Sequence, residues 1–315
     1  ELSKATVDPV LRSYRTETLA SLGIDVDRSQ REHPRYRFVS GGVFVPSARA
    51  VKSDQIVWAR SPIRLDLAGG WTDTPPYTNL YGGAVTNVAV DLNGQSPIQV
   101  FVRPRNEPSI VFHSIDLGER EEVFGSSALL AYTDPLARFS LPRAACCFLG
   151  LGDGVLEKKL LALGGGFEVS LLAAIPKGSG LGTSSVLGGV LFAALLRYFG
   201  LRSSPADLYL AVLELEQMLT TGGGWQDQIG GLAGGVKYIE SAPGPTPDPI
   251  VYQLDPTLFE DRHYADRMTL YYTGVTRLAK NILGEVVARV NQRDPAFLFT
   301  HHCIRSLAKH ARTAV

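Results

Sequence analysis

The sequence predicts an α+β fold. Alternating apolar and polar residues mark strands between positions 55 and 104. A run from Ser184 to Phe199 is apolar nearly all round, as in a helix buried on every side. Strand-like and helix-like segments then interleave without a strict βαβ repeat. The 315 residues suffice for two domains and a sizeable core.

Residues 1–51 mix charges and prolines without clear periodicity and read as an N-terminal extension or linker. The pattern changes at Gln55. QIVWAR and IRLDLA have strand composition, with Ile63, Leu65 and Leu67 alternating with Arg64 and Asp66. GGWTDTPPYTN is a loop, because its glycines and prolines break regular structure. AVTNVAVDL and PIQVFVRP are further strands, LPRAACCFLGLG a short helix and FEVSLLAAI another strand. SPADLYLAVLELEQML is a helix with Ser204 as N-cap and Pro205 first inside it. GGGWQDQIGGLAGG is a glycine-punctuated loop or short helix, and GVKYIES is a strand. After the turn APGPTPDP, RMTLYYTG reads as a strand opening a new unit, followed by helices in TRLAKNILGEVVARVN and DPAFLFTHHCIRSLAKHAR.

Thirty-one basic and 31 acidic residues give zero formal charge, which argues against nucleic acid or an anionic membrane as partner. Gly178 to Leu196 carries no charge, but its first half is Gly, Ser and Thr, so a buried helix is expected, not a membrane span. Cys146, Cys147 and Cys303 have no metal spacing, and no secretory signal opens the chain, so a cytoplasmic setting is expected. The adjacent Cys146 and Cys147 read as buried apolar residues, and His301 and His302 form no metal constellation.

PKGSGLGTSS, residues 176–185, places a glycine loop between a strand and a helix. Such a helix start offers unpaired backbone N–H groups and partial positive charge, and glycines let an anion approach the backbone. Thr183, Ser184 and Ser185 add hydroxyls, and Lys177 adds charge. The spacing is not that of a P-loop, since no lysine follows the glycines. The dinucleotide fingerprint fits poorly as well, because Asp207 lies in a helix.

Pro176 to Ser185 resembles the second motif of the GHMP kinases, the galactokinase, homoserine, mevalonate and phosphomevalonate kinase superfamily. SPIRLDLAGGWTDTPPY, Ser61 to Tyr77, is similar to the superfamily's N-terminal substrate motif, in the form found in its sugar 1-kinase branch and in fucokinases most closely. GGGWQDQIGG, Gly222 to Gly231, resembles the segment that bears the catalytic aspartate, and TGVTRLAKNIL also resembles fucokinases. The resemblance implies a two-domain kinase, with residues 52–262 as the N-terminal, ATP- and sugar-binding domain and 263–315 beginning the C-terminal one. The family's third, glycine-rich motif has no counterpart after Leu283, so that second domain is expected to be incomplete in this chain.

By resemblance, Asp227 is the base, and Arg64 stabilises charge and keeps Asp227 ionised. Asp66, on the same face of its strand, is a structural candidate to pair with Arg64. Gly70, Trp71, Thr72 and Asp73 are expected at the sugar, with Asp73 accepting from its hydroxyls. Lys177, Gly178, Ser179, Gly180, Leu181, Gly182, Thr183, Ser184 and Ser185 are expected at the nucleotide. Ser184 and Glu216 are expected to hold Mg2+, while Glu214, two positions away on another helix face, reads as a surface carboxylate. The expected reaction is ATP-dependent phosphorylation of the anomeric hydroxyl of L-fucose, with ATP and Mg2+ required; the alternatives are another sugar kinase of the same branch, acting on a heptose phosphate or arabinose, and a non-catalytic sugar and ATP sensor with this fold. The resemblance also implies fusion to, or association with, a nucleotidyltransferase domain.

Overall fold

The computed structural model describes residues 46, 48–134, 137–176, 178–219, 223–245, 247–274 and 279–314. Among the described residues, nine strands run β1 (Val57–Ser61), β2 (Ile63–Ala68), β3 (Gly83–Val90), β4 (Ile98–Pro104), β5 (Ile110–Ser114), β6 (Glu119–Val123), β7 (Phe167–Ala173), β8 (Val236–Ser241) and β9 (Ile250–Gln253). The α-helices are α1 (Tyr77–Tyr81), α2 (Ser126–Leu130), α3 (Ser140–Phe148), α4 (Leu156–Ala162), α5 (Thr183–Tyr198), α6 (Pro205–Met218), α7 (Gln226–Leu232), α8 (Thr257–Glu260), α9 (Arg262–Ala265), α10 (Ala279–Asn291) and α11 (Pro295–Ala314).

The strands form two sheets. One has the order β1-β4-β7-β5-β6 and the other β2-β3-β8-β9. Every pairing is antiparallel except β5 with β7. Helix α5 lies on β1 and β4 and packs against α6 and α7. Its Val186, Val190, Leu191, Phe192 and Leu195 enter the main core with Ile98, Val100 and Val169 of the five-stranded sheet. That all-round burial explains why the segment is apolar on every face. The four-stranded sheet is covered on both sides. Val85 and Ile239 meet Trp225 and Ile229 beside α7, while Ala84 and Tyr238 meet Ala308 of α11. Helix α6 begins at a capping box in which Ser204 and Asp207 satisfy each other's backbone N–H groups.

Two expectations are corrected. RMTLYYTG forms no strand: residues 268–274 lie outside regular structure, and Met268, Leu270, Tyr271 and Tyr272 are exposed. Its β-like composition finds no ladder to join, and a strand without a partner leaves its backbone groups to water. Glu214 is not at the surface but 5% exposed, because the turn of α6 that carries Ala211, Val212 and Leu215 into the core takes it along. Residues 1–45, and with them nearly all of the expected N-terminal extension, lie outside the described residues.

Candidate active site

Three elements meet at one point: the end of β2, the glycine loop before α5, and the first turn of α7. Arg64 of β2 is their hub. Its Nε and Nη2 donate to Asp227 Oδ1 at 2.9 and 2.5 Å. Its Nη1 donates to the Gly180 carbonyl oxygen at 2.9 Å. The Arg64 side chain is 10% exposed and that of Asp227 31%, so the pair sits at the floor of an opening and the carboxylate reaches solvent. Asp66 is not the partner that the strand pattern offered. It lies beyond the buried part of β2, exposed, and accepts backbone N–H bonds from Ala68 and Gly70.

The glycine loop has the geometry an anion needs. Gly178, Gly180 and Gly182 have φ of 70, 78 and 74°, in the left-handed region that side chains disfavour. Gly182 is the N-cap of α5 and offers no side-chain cap. Val186 is the first residue whose N–H turns back into the helix, onto Gly182 O at 3.0 Å, so the N–H groups of Thr183, Ser184 and Ser185 precede the ladder. A Cβ on Gly182 would stand 3.1 Å from Asp227 Cβ and 3.5 Å from Arg64 Cγ. The bare backbone therefore faces the carboxylate across a space that a side chain would fill. Leu181 packs on the core beneath the loop, whereas Gly180 and Ser184 are exposed. Ser179 is partly exposed. Lys177 lies outside the described residues.

Glu216 projects from α6 toward the same place and is 7% exposed. Ser185 Oγ donates to its Oε1. The structure thus brings Glu216 to Ser185 rather than to the neighbouring Ser184. Burial pushes the Glu216 carboxyl up to about 8; the Ser185 hydrogen bond opposes this, and Asp227 and Asp73 add to it. Among the described residues no group of three or more His, Cys, Asp or Glu forms a metal cluster.

Asp73 is 1% exposed. Its Oδ2 accepts from the Gln226 backbone N–H and its Oδ1 from Gln226 Nε2, both at 3.0 Å. It therefore caps the turn that presents Asp227, in place of an open position facing a ligand. Thr72 is also fully buried. Its hydroxyl lies 2.7 Å from Gly69 O and 2.9 Å from Ala84 O, with one proton to share between them, and accepts from the Ala84 N–H at 3.1 Å, pinning the loop to β3. Trp71 is half-buried with φ of 73°. Gly70 is buried, and a Cβ there would meet Asp66 Oδ2 at 1.9 Å.

Gly223, Gly224 and Gly230 of GGGWQDQIGG are close-approach sites. A Cβ on Gly224 would meet Asp73 Oδ2 at 1.9 Å, one on Gly223 would meet Glu216 Oε2 at 2.9 Å, and one on Gly230 would meet Arg64 Cβ at 2.8 Å. The sequence reading missed the Gln226–Asp73 bonds, the Ser185–Glu216 pair and the buried Lys237. The only sequence signal for these was the glycine density, which marks where backbone approaches side chains. His302 Nδ1 lies 2.8 Å from Tyr77 Oη, away from this site. Cys146 is buried, Cys147 half-buried and Cys303 exposed.

Residues 150–235 match the family model of the GHMP kinases N terminal domain. The chain is 48% identical over 245 residues to an L-fucokinase/L-fucose-1-P guanylyltransferase of Bacteroides fragilis, covering 76% of this chain and 26% of the relative. It is 32% identical to a bifunctional fucokinase/GDP-fucose pyrophosphorylase of Arabidopsis thaliana, covering 100% of this chain and 28% of the relative. The chain thus spans about a quarter of the length of these relatives. Its fold is similar to that of Lactococcus lactis galactokinase complexed with galactose, with a TM-score of 0.54 and 18% identity over 89% of this chain and 73% of that one. Among the described residues no helix is long and apolar enough to cross a membrane.

Proposed function

We propose that this chain, which carries a GHMP kinase N-terminal domain, transfers the γ-phosphoryl group of ATP to the anomeric hydroxyl of L-fucose. The observation that carries the reading is the Arg64–Asp227 pair at the mouth of an uncapped, glycine-flanked helix N-terminus. Phosphoryl transfer needs a cradle for the triphosphate, an oriented hydroxyl and charge stabilisation. The loop from Lys177 to Ser185 supplies the cradle. Asp227 Oδ2 is not the oxygen held by Arg64, and it takes the proton as the sugar oxygen bonds to phosphorus and ADP departs. Arg64 fixes the other oxygen and holds the loop through Gly180 O.

The residues present suit a magnesium ion. The Ser184 hydroxyl and the Glu216 carboxylate are hard oxygen donors, and the space opposite Gly182 is one that a Cβ would fill. A magnesium ion held by these residues would supply neutralisation of phosphate charge. On the sugar side, Trp71 is the half-buried member of the loop, and the buried Gly70, Thr72 and Asp73 support it from beneath. Asp73 accepts a sugar hydroxyl at Oδ1 when the Gln226 side chain yields that place, while the backbone bond to Oδ2 remains.

The names of the relatives support L-fucose as substrate and a fused pyrophosphorylase in the full protein. We assign residues 52–262 to the nucleotide- and sugar-binding domain and residues 263–315 to the beginning of a second one, and place the protein in the cytoplasm. The test is a coupled ADP-release assay with the full-length protein across L-fucose, D-arabinose, galactose and a heptose phosphate. Turnover highest with L-fucose is expected. Preference for another sugar overturns the substrate, and a failure of every sugar to release ADP overturns the kinase.

A further inference from the structure

Lys237 is the second residue of β8 and has no exposed surface. Its ammonium donates to Asn87 Oδ1 at 3.1 Å and to Gly235 O at 2.9 Å, and among the described residues no carboxylate pairs with it. Burial pushes it down to about 7. A buried ammonium is costly, and an apolar residue would fill a strand of this composition more cheaply. The neighbourhood suggests why it is there. Asp66, Asn87 and Lys237 are paired in register across β2, β3 and β8. An ammonium only donates, so it fixes which end of the Asn87 amide faces it. The oxygen turns to Lys237 and the nitrogen turns away, toward α7. There a Cβ on Gly230 would meet Asn87 Nδ2 at 2.9 Å, Arg64 Cβ at 2.8 Å and Arg64 Cγ at 2.9 Å. Asn87, the Arg64 stem and the α7 backbone are thus wedged together one helical turn from Asp227.

We propose that Lys237 is a positioning residue for phosphoryl transfer: through Asn87 it holds the Arg64 stem against α7 and so sets the Arg64–Asp227 geometry. The inference rests on the kinase reading above for its kinetic test, but not for its structural one. Lys237→Met keeps length and removes every donor. Asn87 then loses the bond that sets its amide, and the wedge under Arg64 relaxes.

In the full-length protein, Lys237→Met is expected to lower kcat roughly 10–100-fold, the scale of a small misplacement of catalytic groups, with KM for sugar and MgATP within about threefold. Asn87→Ala should do the same. In the Asn87→Ala background Lys237→Met should cost less than about twofold more, since both changes cut one link. Independent losses that multiply, or KM changes that match the fall in kcat, overturn the proposal. Should Lys237→Met not fold, Asn87→Ala alone decides: parental kcat there overturns it. A crystal structure of either variant gives a readout free of turnover. Displacement of Arg64 from Asp227 supports the proposal, and an Arg64 that keeps both bonds to Asp227 overturns it, even if the parent phosphorylates no sugar and the kinase reading has failed.

Discussion

Replacing Asp227 by asparagine separates chemistry from stability. The amide introduced by Asp227→Asn retains a carbonyl oxygen that can accept from Arg64 Nε and Nη2, so the geometry seen at 2.9 and 2.5 Å is expected to survive. What is lost is charge. A hydrogen bond to a charged group contributes about 1.5–3 kcal/mol and a neutral one about 0.5–1.5, so the change costs about 1–1.5 kcal/mol per bond at most. The 31% exposure of Asp227 screens the pair and reduces that figure. A loss of about 1 kcal/mol shifts Tm by only about 2–4 °C in a chain of this class. Removing a general base lowers kcat by roughly 10²–10⁴-fold, or about 3–5 kcal/mol in the barrier. The two effects are therefore separable at any temperature well below Tm. The assay is single-turnover transfer from γ-labelled ATP to L-fucose in the full-length protein, beside a thermal melt and ATP binding. Binding should persist while transfer falls. Arg64→Leu should also lower transfer, and the double variant should lose less than the product, because the two residues act as a unit. Transfer within about threefold of the parent in Asp227→Asn refutes the base assignment.

Further outcomes follow from the same geometry. Gly182→Val places a branched side chain at φ of 74°, 3.1 Å from Asp227 Cβ, and should weaken ATP by roughly tenfold or more in calorimetric titration; unchanged affinity with a native circular dichroism spectrum rules out the loop as the cradle. Glu216→Gln should lower turnover in a way that excess Mg2+ partly restores, whereas Glu214→Gln should show no such Mg2+ dependence; the opposite pattern moves the ligand to Glu214. Burial lifts the Asp73 carboxyl up to about 7, with the Gln226 N–H opposing and the Asp227 charge adding. An acid raised in the folded state holds its proton more tightly there, so its contribution is full below about pH 4 and is lost as pH rises through about 7. Asp73→Asn should flatten the fall of Tm across that window, and an unchanged slope means that another group sets it.

Much of the fold was legible because its signals are local. The glycine loop, the buried apolar helix after it and the capping box at Ser204 each declare themselves within a few residues. The β5–β6 hairpin was missed because EREEV is too charged to look like a strand. Its acids are tied down from elsewhere in the chain: Glu121 accepts from Arg143, and Glu122 from Arg105 and Ser109. β9 was missed because only four residues follow a proline-rich turn. RMTLYYTG misled for the converse reason, since composition reports a preference for strand but not whether a partner is present. At the site, the Arg64–Asp227 pair spans 163 residues of sequence and was reached only through the resemblance of two motifs. The roles of Asp73 and Thr72 beneath the turn needed depth, which one sequence does not encode.

The charge at the site explains why those parts must work together. Burial lifts the Asp73 and Glu216 carboxyls, and the Asp227 charge adds to both, so the site resists further negative charge. Arg64 tempers Asp66 and Asp73 but spends its own hydrogen bonds on Asp227 and Gly180. A triphosphate entering this space meets the open amides of α5 on one side and acidic side chains on the other. The partial charge of a helix terminus, equivalent to about +0.5, does not offset several carboxylates. A divalent cation held at the Glu216 carboxylate would supply the missing positive charge, in place of the proton that burial favours there. On the kinase reading, such a site is expected to take ATP together with a divalent cation in preference to bare ATP.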